Sequence, residues 1–444
     1  MNASLIDRAR EVAGHDHVLA GPDIGAAYAV DGVPVTAVAR PGTPEEAGAL
    51  LAAAGEAGAG VLPWGAGAHQ HLGGTPTRAD LAIETTRLTG ITDYTPADYV
   101  VAVRAGTPFR DLQAELAKHN QWLPIDPPGA ARATVGGLVA ANRNGPRRLL
   151  WGSIRDLVIG IRAALPTGEV IKTGGKVVKN VAGYDLVKLF IGSLGAVGVI
   201  TEVTFKISPL PEDGLTVLVP VPEAAAVHAL TAAVMRSYLL PSALEVVNPA
   251  AFRRLSDVTG LPSPPAGAWG VLLLAEGMEE SRTRHVNEMR SLVGGRDGMD
   301  VIEGEGHRAL WTAVGEFPSP ETHPGAVICR AGGPIARWGE FARALEPAGS
   351  DDGYPHQILA HVGVGLVYVA AAAESVGPTL AEALGRVARE VGGYAVVEAA
   401  PRALKARLPI WGAEPGAIEL MRRLRTAYDP KAIMVPGRLG WDLS

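Results

Sequence analysis

The sequence predicts an α+β protein of two domains followed by a C-terminal segment. Three observations predict it. Residues 1–209 alternate helical and short-strand patterns. The stretch Pro209-Leu-Pro-Glu-Asp-Gly214 interrupts them as a linker. Beyond it comes a succession of strand–helix–strand units, which suits an antiparallel sheet covered by helices on one face. A chain of 444 residues is also long for a single core. The expected boundaries are 1–209, 210–415 and 416–444.

The elements follow in order. Thr43-Pro44-Glu45-Glu46 is a helix start, with Thr43 as N-cap, Pro44 at the first helical position and Glu46 closing a capping box; the helix runs to about Gly58. A strand near Val61–Pro63 leads into the Gly-rich run Trp64–Gly74. Leu81–Thr85 and Tyr99–Ala105 read as strands, and Thr107-Pro108 caps a helix extending to about His119. Asp156–Leu165 and Glu169–Lys172, split by Pro166-Thr167-Gly168, form a hairpin-like pair. A short helix over Tyr184–Ile191 precedes a half-buried strand over Gly198–Ser208. In the second half, strands at Leu215–Val221, Leu244–Asn248 and Val271–Glu276 alternate with helices at Glu223–Tyr238 and Glu279–Val293. An amphipathic helix, Gly416–Tyr428, closes on Asp429-Pro430.

Composition removes several functions. Gly (55) and Pro (34) are abundant but follow no period, which excludes collagen-like and disordered readings. A net charge of −6 without a basic stripe gives nucleic-acid binding no support. Apolar runs such as Val364–Ala373 fall far short of the ~20 residues that span a bilayer. The N-terminus carries acidic residues and no apolar signal core, so the chain reads as mature and cytoplasmic. The single cysteine, Cys329, sits in a strand-like run as a buried thiol. One thiol cannot hold an iron–sulfur cluster, which takes about four. Redox chemistry here needs a bound organic cofactor.

Three glycine-rich segments carry the chemistry. Gly65, Gly67, Gly73 and Gly74 follow a strand and permit backbone N–H groups to converge on an anion, although the run is neither a Walker loop nor a helix-opening dinucleotide fingerprint. Ala133-Thr-Val-Gly-Gly137 puts a hydroxyl and exposed donors at a helix start. Lys176–Asp185 runs into Phe190-Ile-Gly-Ser-Leu-Gly-Ala-Val-Gly-Val-Ile200. Together they imply close approach of backbone to an extended ligand.

The order Pro63-x-Gly65-x-Gly67, Ala133–Gly137, Asn180-Val-Ala-Gly-Tyr-Asp185 and Gly192-Ser-Leu-Gly195 resembles the FAD-binding fold of the vanillyl-alcohol-oxidase/p-cresol-methylhydroxylase (PCMH) type, and most of all the FAD-binding subunits of bacterial glycolate oxidase. The ending Tyr428-Asp-Pro-Lys-Ala-Ile-Met-Val-Pro-Gly-Arg438 resembles that family's closing motif. The resemblance implies a two-part PCMH-type FAD domain, a cap domain, and a C-terminal segment folded back on the FAD domain. It places FAD pyrophosphate on the loop after Pro63, formed by Trp64, Gly65, Ala66, Gly67, Ala68 and His69, with Gly73 shaping the turn. Pro128, Thr134, Gly136 and Gly137 would follow the ribityl chain and pyrophosphate, Ile200 the adenine, and Asn180 and Tyr184 the flavin ring. Relatives that link flavin covalently use a His where Ala68 stands, so noncovalent FAD is expected. The closing motif's usual Asn is Val435 here.

Candidates in the second half are few. His361 lies in an apolar stretch and reads either as a core residue or as a base facing the flavin; nearby Val364 supplies it no partner. Arg330 reads either as a carboxylate clamp or as a surface ion pair. Trp311 and Glu316-Phe317 read either as lining of a pocket or as parts of a structural helix, and Lys405 as a solvated lysine. No metal site is expected. The resemblance implies oxidation of a small 2-hydroxy acid, glycolate or D-lactate, by hydride transfer to the flavin. Electrons would leave through a partner iron–sulfur subunit beside a second flavin subunit, in the cytoplasm or at the inner face of a membrane through those partners. Two alternatives stay open: a flavin-binding accessory subunit without turnover, and a stand-alone FAD oxidase of alcohols or sugars.

Overall fold

The computed structural model describes residues 3–21, 24, 28–176, 184–295, 298–345, 356–373, 377–441 and 443. The first half is built on two sheets. A four-stranded sheet has the order Val18–Ala20, Ala37–Ala39, Leu81–Glu84, Val61–Trp64, antiparallel for the first pair and parallel for the other two. Helix Pro44–Ala57 packs on it through Leu50, Leu51 and its alanines. The start of that helix is as its sequence dictates: Thr43 accepts from the Glu46 N–H and Gly58 ends the helix in the left-handed region. The Glu46 carboxylate reaches Gly42 N–H at 2.7 Å, one residue before the cap.

A five-stranded antiparallel sheet makes the second part, in the order Val170–Gly174, Val158–Ala164, Val199–Lys206, Val100–Arg104, Ile91–Thr95. The expected hairpin is its first pair. Strand Val199–Lys206 is covered on both faces rather than one: Val199 packs against the first sheet's core, and Ile200, Val203 and Phe205 against the second's. Thr107 does not cap the following helix. That helix begins at Phe109 after Pro108, and the Thr107 hydroxyl accepts from Gly90 N–H instead.

The second half is one eight-stranded antiparallel sheet, ordered Asp300–Ile302, Asp213–Val221, Trp269–Gly277, Ala243–Val247, His356–His361, Leu366–Ala372, Ala326–Gly332, Tyr394–Ala399. The expected helical layer covers one face, with Val227, Val234, Met289, Phe341 and Leu384 packed on Val217, Val246, Val271 and Val369. Two further helices, Pro249–Thr259 and Gly304–Gly315, cover part of the opposite face. Phe252, Leu255, Leu310 and Trp311 pack there on Leu218, Leu272 and Leu274, and the Trp311 indole donates to Thr216 at 2.7 Å. A strand that alternates hydrophobics on both sides demands cover on both sides.

After helix Ile418–Tyr428 the chain returns to the first sheet. Val61 N–H donates to Ile433 at 2.7 Å and Val435 N–H donates to Val61 at 2.9 Å, which extends the sheet by one bridge beside the strand that feeds the Gly-rich loop. The buried Asp429 carboxylate holds the turn, accepting from Ile433 N–H at 3.0 Å and Met434 N–H at 2.8 Å. Asp429→Ala leaves both buried donors without an acceptor. It is expected to lower global stability by about 2–3 kcal/mol, read as a fall in thermal midpoint.

Candidate functional site

The strand Val61–Trp64, the helix Val135–Ala141 and the strand Val199–Lys206 converge on one cleft. Pro63, Trp64, Gly65, Ala66, Gly67, Ala68, His69, Thr134, Gly136, Gly137 and Ile200 all line it. Eleven residues that lie up to 137 positions apart in sequence thus share one cavity. The backbone N–H groups from Gly65 to His69 donate to no acceptor among the described residues, so the loop presents a row of free donors. Gly65 is indispensable to that loop: a Cβ there would stand 2.2 Å from the Thr134 hydroxyl. Gly67 holds φ +78°, a conformation that side chains resist. Thr134 caps its helix by accepting from Gly137 N–H.

The other expected cofactor residues fall elsewhere. Pro128 stands behind the cleft, its carbonyl 2.9 Å from His69 Nε2. Gly73 lines the neighbouring pocket rather than the cleft. Tyr184 is 94% exposed, and Asn180 lies outside the described residues. Burial and the charge on Arg143 lower the His69 pKa to about 3, so its imidazole is neutral.

Sequence reasoning passed over Gln70, Thr85, Leu194 and Arg438, which also line the cleft. Arg438 is fully buried. One guanidinium nitrogen donates to the Gln70 and Leu72 carbonyls, while Nη1 has no partner, and burial lowers its pKa to about 10. Its signal was present in the closing motif. The Lys405 expectation is corrected: the side chain is 3% exposed, and Nζ donates to Asp31 at 2.7 Å and to the His71 carbonyl at 2.8 Å. An ammonium pairs with a carboxylate from the far end of the chain there, a contact that no local pattern announces.

Sharing Ala141 and Leu194 with the cleft is a second, polar pocket of about 210 Å3. Arg143, Arg148, Arg330, Tyr368, Tyr394 and Glu398 stand in its wall. Arg143 Nη1 donates to Glu398 Oε2 at 2.8 Å, and Arg330 Nε to Oε1 at 2.6 Å. Arg330 also donates to the Tyr394 hydroxyl at 2.8 Å and lies over that ring. Burial raises the Glu398 pKa, but the two guanidiniums outweigh it and bring the value down to about 2. Burial pushes the Tyr368 phenol up to about 12. Arg330 is therefore an ion-paired residue of a pocket wall.

His361 lies one ring further back. Its imidazole meets Tyr368 edge-on at 5.1 Å, and Nδ1 sits 2.6 Å from Glu245 Oε2 without hydrogen-bond alignment. The partner that the sequence did not reveal comes from the adjacent strand, where Glu245 is in register with His361. Burial carries the Glu245 pKa up to about 7 against the pull of His361. Trp311 and Phe317 are core, while Glu316 reaches across to accept from Gly129 N–H at 3.0 Å. Cys329 is buried, its pKa raised to about 12 by burial. Among the described residues no cluster of His, Cys, Asp or Glu is arranged to hold a metal.

A cleft edged by free backbone donors and joined to a pocket lined by arginines is suited to a phosphate-bearing cofactor. Comparison with known proteins agrees. Residues 35–174 match the FAD binding domain family and residues 210–398 the FAD linked oxidases C-terminal domain family. The chain is 31% identical to an uncharacterized FAD-linked oxidoreductase of Mycobacterium tuberculosis, covering 98% of this chain and 96% of that protein. It is 28% identical to a D-lactate dehydrogenase of Archaeoglobus fulgidus, covering 90% of each. Over 128 residues it is 44% identical to the glycolate oxidase subunit GlcE of Escherichia coli, which covers 29% of this chain and 37% of that one. The solved structure of p-cresol methylhydroxylase with substrate bound superposes with a TM-score of 0.71 at 16% identity, over 98% of this chain and 96% of that one, which shows the fold. The chain belongs to the FAD-linked oxidoreductase family of glycolate oxidase type and is an FAD-dependent oxidoreductase.

The residues present fit the cofactor. The row from Gly65 to His69 would offer donors to a pyrophosphate, and the buried Arg438 Nη1, which has no hydrogen-bond partner, would offer one more. Two outcomes follow. Gly65→Ala wedges the loop from Thr134 and is expected to weaken FAD at least ~10-fold, about 1.4 kcal/mol, measured by flavin fluorescence titration. The Glu398 carboxyl is held below its unfolded value. Its ionised form therefore stabilises the fold above about pH 4.5, and this contribution drains away as pH falls toward 2. Acid titration of stability is expected to show that fall, and Glu398→Gln to flatten it while lowering stability at neutral pH by about 3–5 kcal/mol.

Proposed function

We propose that this oxidoreductase acts on a small 2-hydroxy acid such as glycolate or D-lactate, binds FAD noncovalently and hands its electrons to a partner subunit. One observation carries the proposal: a pocket of guanidiniums opens beside the FAD cleft, with two of them sharing a single carboxylate. Arg330 and Arg143 present positive charge to a substrate carboxylate, and orientation by such groups supplies much of the rate. The Tyr368 hydroxyl, kept protonated, donates to the substrate. FAD, when bound, accepts the hydride from the substrate carbon. Noncovalent binding is supported at the first loop, where Ala68 offers only a methyl to the cleft and His69 is turned to the Pro128 carbonyl.

The electron exit is proposed from the cysteine count together with the family. One thiol cannot carry an iron–sulfur cluster, so the cluster would sit on a partner, beside a second flavin subunit. Similarity to a glycolate oxidase subunit supports an assembly of this kind. No helix of the described residues is long and apolar enough to cross a membrane. We place the working complex in the cytoplasm, with any membrane contact made by the partners.

A second reading, a flavin-binding accessory subunit, is favoured by a specific observation. His361, the proposed base, stands behind Tyr368 against Glu245, and the acid in the pocket wall is already ion-paired. The test is anaerobic mixing of the FAD-loaded protein with glycolate and D-lactate. Loss of the flavin absorbance band is expected, with Arg330→Ala lowering kcat/KM ~10–100-fold, the weight of a charge-assisted hydrogen bond of about 1.5–3 kcal/mol. A flavin that stays oxidised with every 2-hydroxy acid leaves the accessory subunit.

A further inference from the structure

A row of polar side chains crosses five adjacent strands of the large sheet. Glu245 stands directly opposite His361, and His361 directly opposite Leu366. Tyr368 lies two residues beyond Leu366, so it shares their face of the sheet and is the diagonal neighbour of His361. Arg330 is opposite Tyr368, and Glu398 occupies the bulge of the last strand. Tyr368, Arg330 and Glu398 line the pocket beside the FAD cleft. Glu245 and His361 are buried behind it, Nδ1 2.6 Å from Oε2, with the His361 ring edge-on to Tyr368.

Glu245 depends on His361 for its neutralisation. Its other strand neighbour is Leu272. Across the seam lies Asp126, a like charge, bonded to an Arg147 that also holds Glu276. The helix Arg148–Trp151 packs on the same strand, but its Arg148 stands in the pocket wall. A carboxyl and an imidazole with one proton between them carry no net charge. Without that proton a buried negative charge stands behind Tyr368, which burial in a low dielectric makes costly. Burial places the Glu245 pKa at about 7, where this loss occurs. Tyr368 titrates near 12, Glu398 near 2, and His69 and His71 near 3.

We infer that Glu245 is a positioning residue of the pocket: sharing one proton with His361, it seats the ring that backs Tyr368 and keeps the pocket floor free of net negative charge. The inference rests on the pocket being the site of the acid. Its test is calorimetric titration of pyruvate, a 2-oxo acid that FAD cannot oxidise by hydride removal, into the FAD-loaded protein from about pH 6 to about pH 8.5. The affinity is expected to fall ~5-fold as the shared proton leaves. Glu245→Gln is expected to hold the change within ~2-fold, and His361→Asn, which removes the other half of the pair, to do the same. A flat wild-type profile overturns the inference. So does a fall that persists in either variant with wild-type circular dichroism, since Asp126 or another group then carries it. Anaerobic mixing with D-lactate separates the two readings. A pH-dependent pyruvate affinity without flavin bleaching overturns oxidation and leaves the pair standing, bleaching with a flat profile does the reverse, and pyruvate that binds at no pH overturns both.

Discussion

The architecture of the site depends on one buried carboxylate. Glu398 lies on the last strand of the eight-stranded sheet, yet it is held by Arg143 from the first half as well as by Arg330 from the neighbouring strand. A lone carboxylate at that depth would cost several kcal/mol in lost hydration. Two guanidiniums offset the cost only in the geometry that brings residues 255 positions apart in sequence to a single point. Arg330 carries the contact on to Tyr394, whose hydroxyl it bonds and whose ring it overlies. Removing either arginine would leave one Glu398 oxygen without its donor, so the two halves are tied by electrostatics as well as by apolar contact.

The rest of the seam repeats the principle. Arg147 spans Asp126 of the first half and Glu276 of the sheet, with its guanidinium over Trp122. Burial raises the Asp126 pKa and outweighs the charge and the backbone N–H of Arg147, which pull it down. Glu316 bonds to the Gly129 backbone and Lys405 to Asp31. Each pair joins residues distant in sequence. The loops that edge the cleft are therefore braced from the far side by residues of the second half, Glu316 and Lys405 among them.

Legibility in the sequence followed the range of the interaction. The helix Pro44–Ala57 and the glycine loop after Trp64 were readable because a cap, a proline and a positive φ act within a few residues. Most of the expected cofactor residues line one cleft for the same reason: glycine is required wherever backbone must approach a ligand, and the requirement is written locally. Thr107 was misread as a cap because a hydroxyl before proline has other uses, here the Gly90 N–H. Helices on both faces of the large sheet were not foreseen, since a strand buried on two sides looks like any apolar run.

By itself, the sequence determined the class of the protein: an α+β chain whose glycine-rich loops suit a nucleotide cofactor and whose single cysteine excludes an iron–sulfur cluster of its own. Only the tertiary structure decided which charges meet. Glu398 joined two arginines, Glu245 faced His361 across a strand pair, and Lys405 found Asp31. The physical reason is that loop donors and caps are satisfied by near neighbours, whereas a buried charge is satisfied by whichever opposite charge folding brings within about 3 Å, and nothing in either residue's own neighbourhood records that partner.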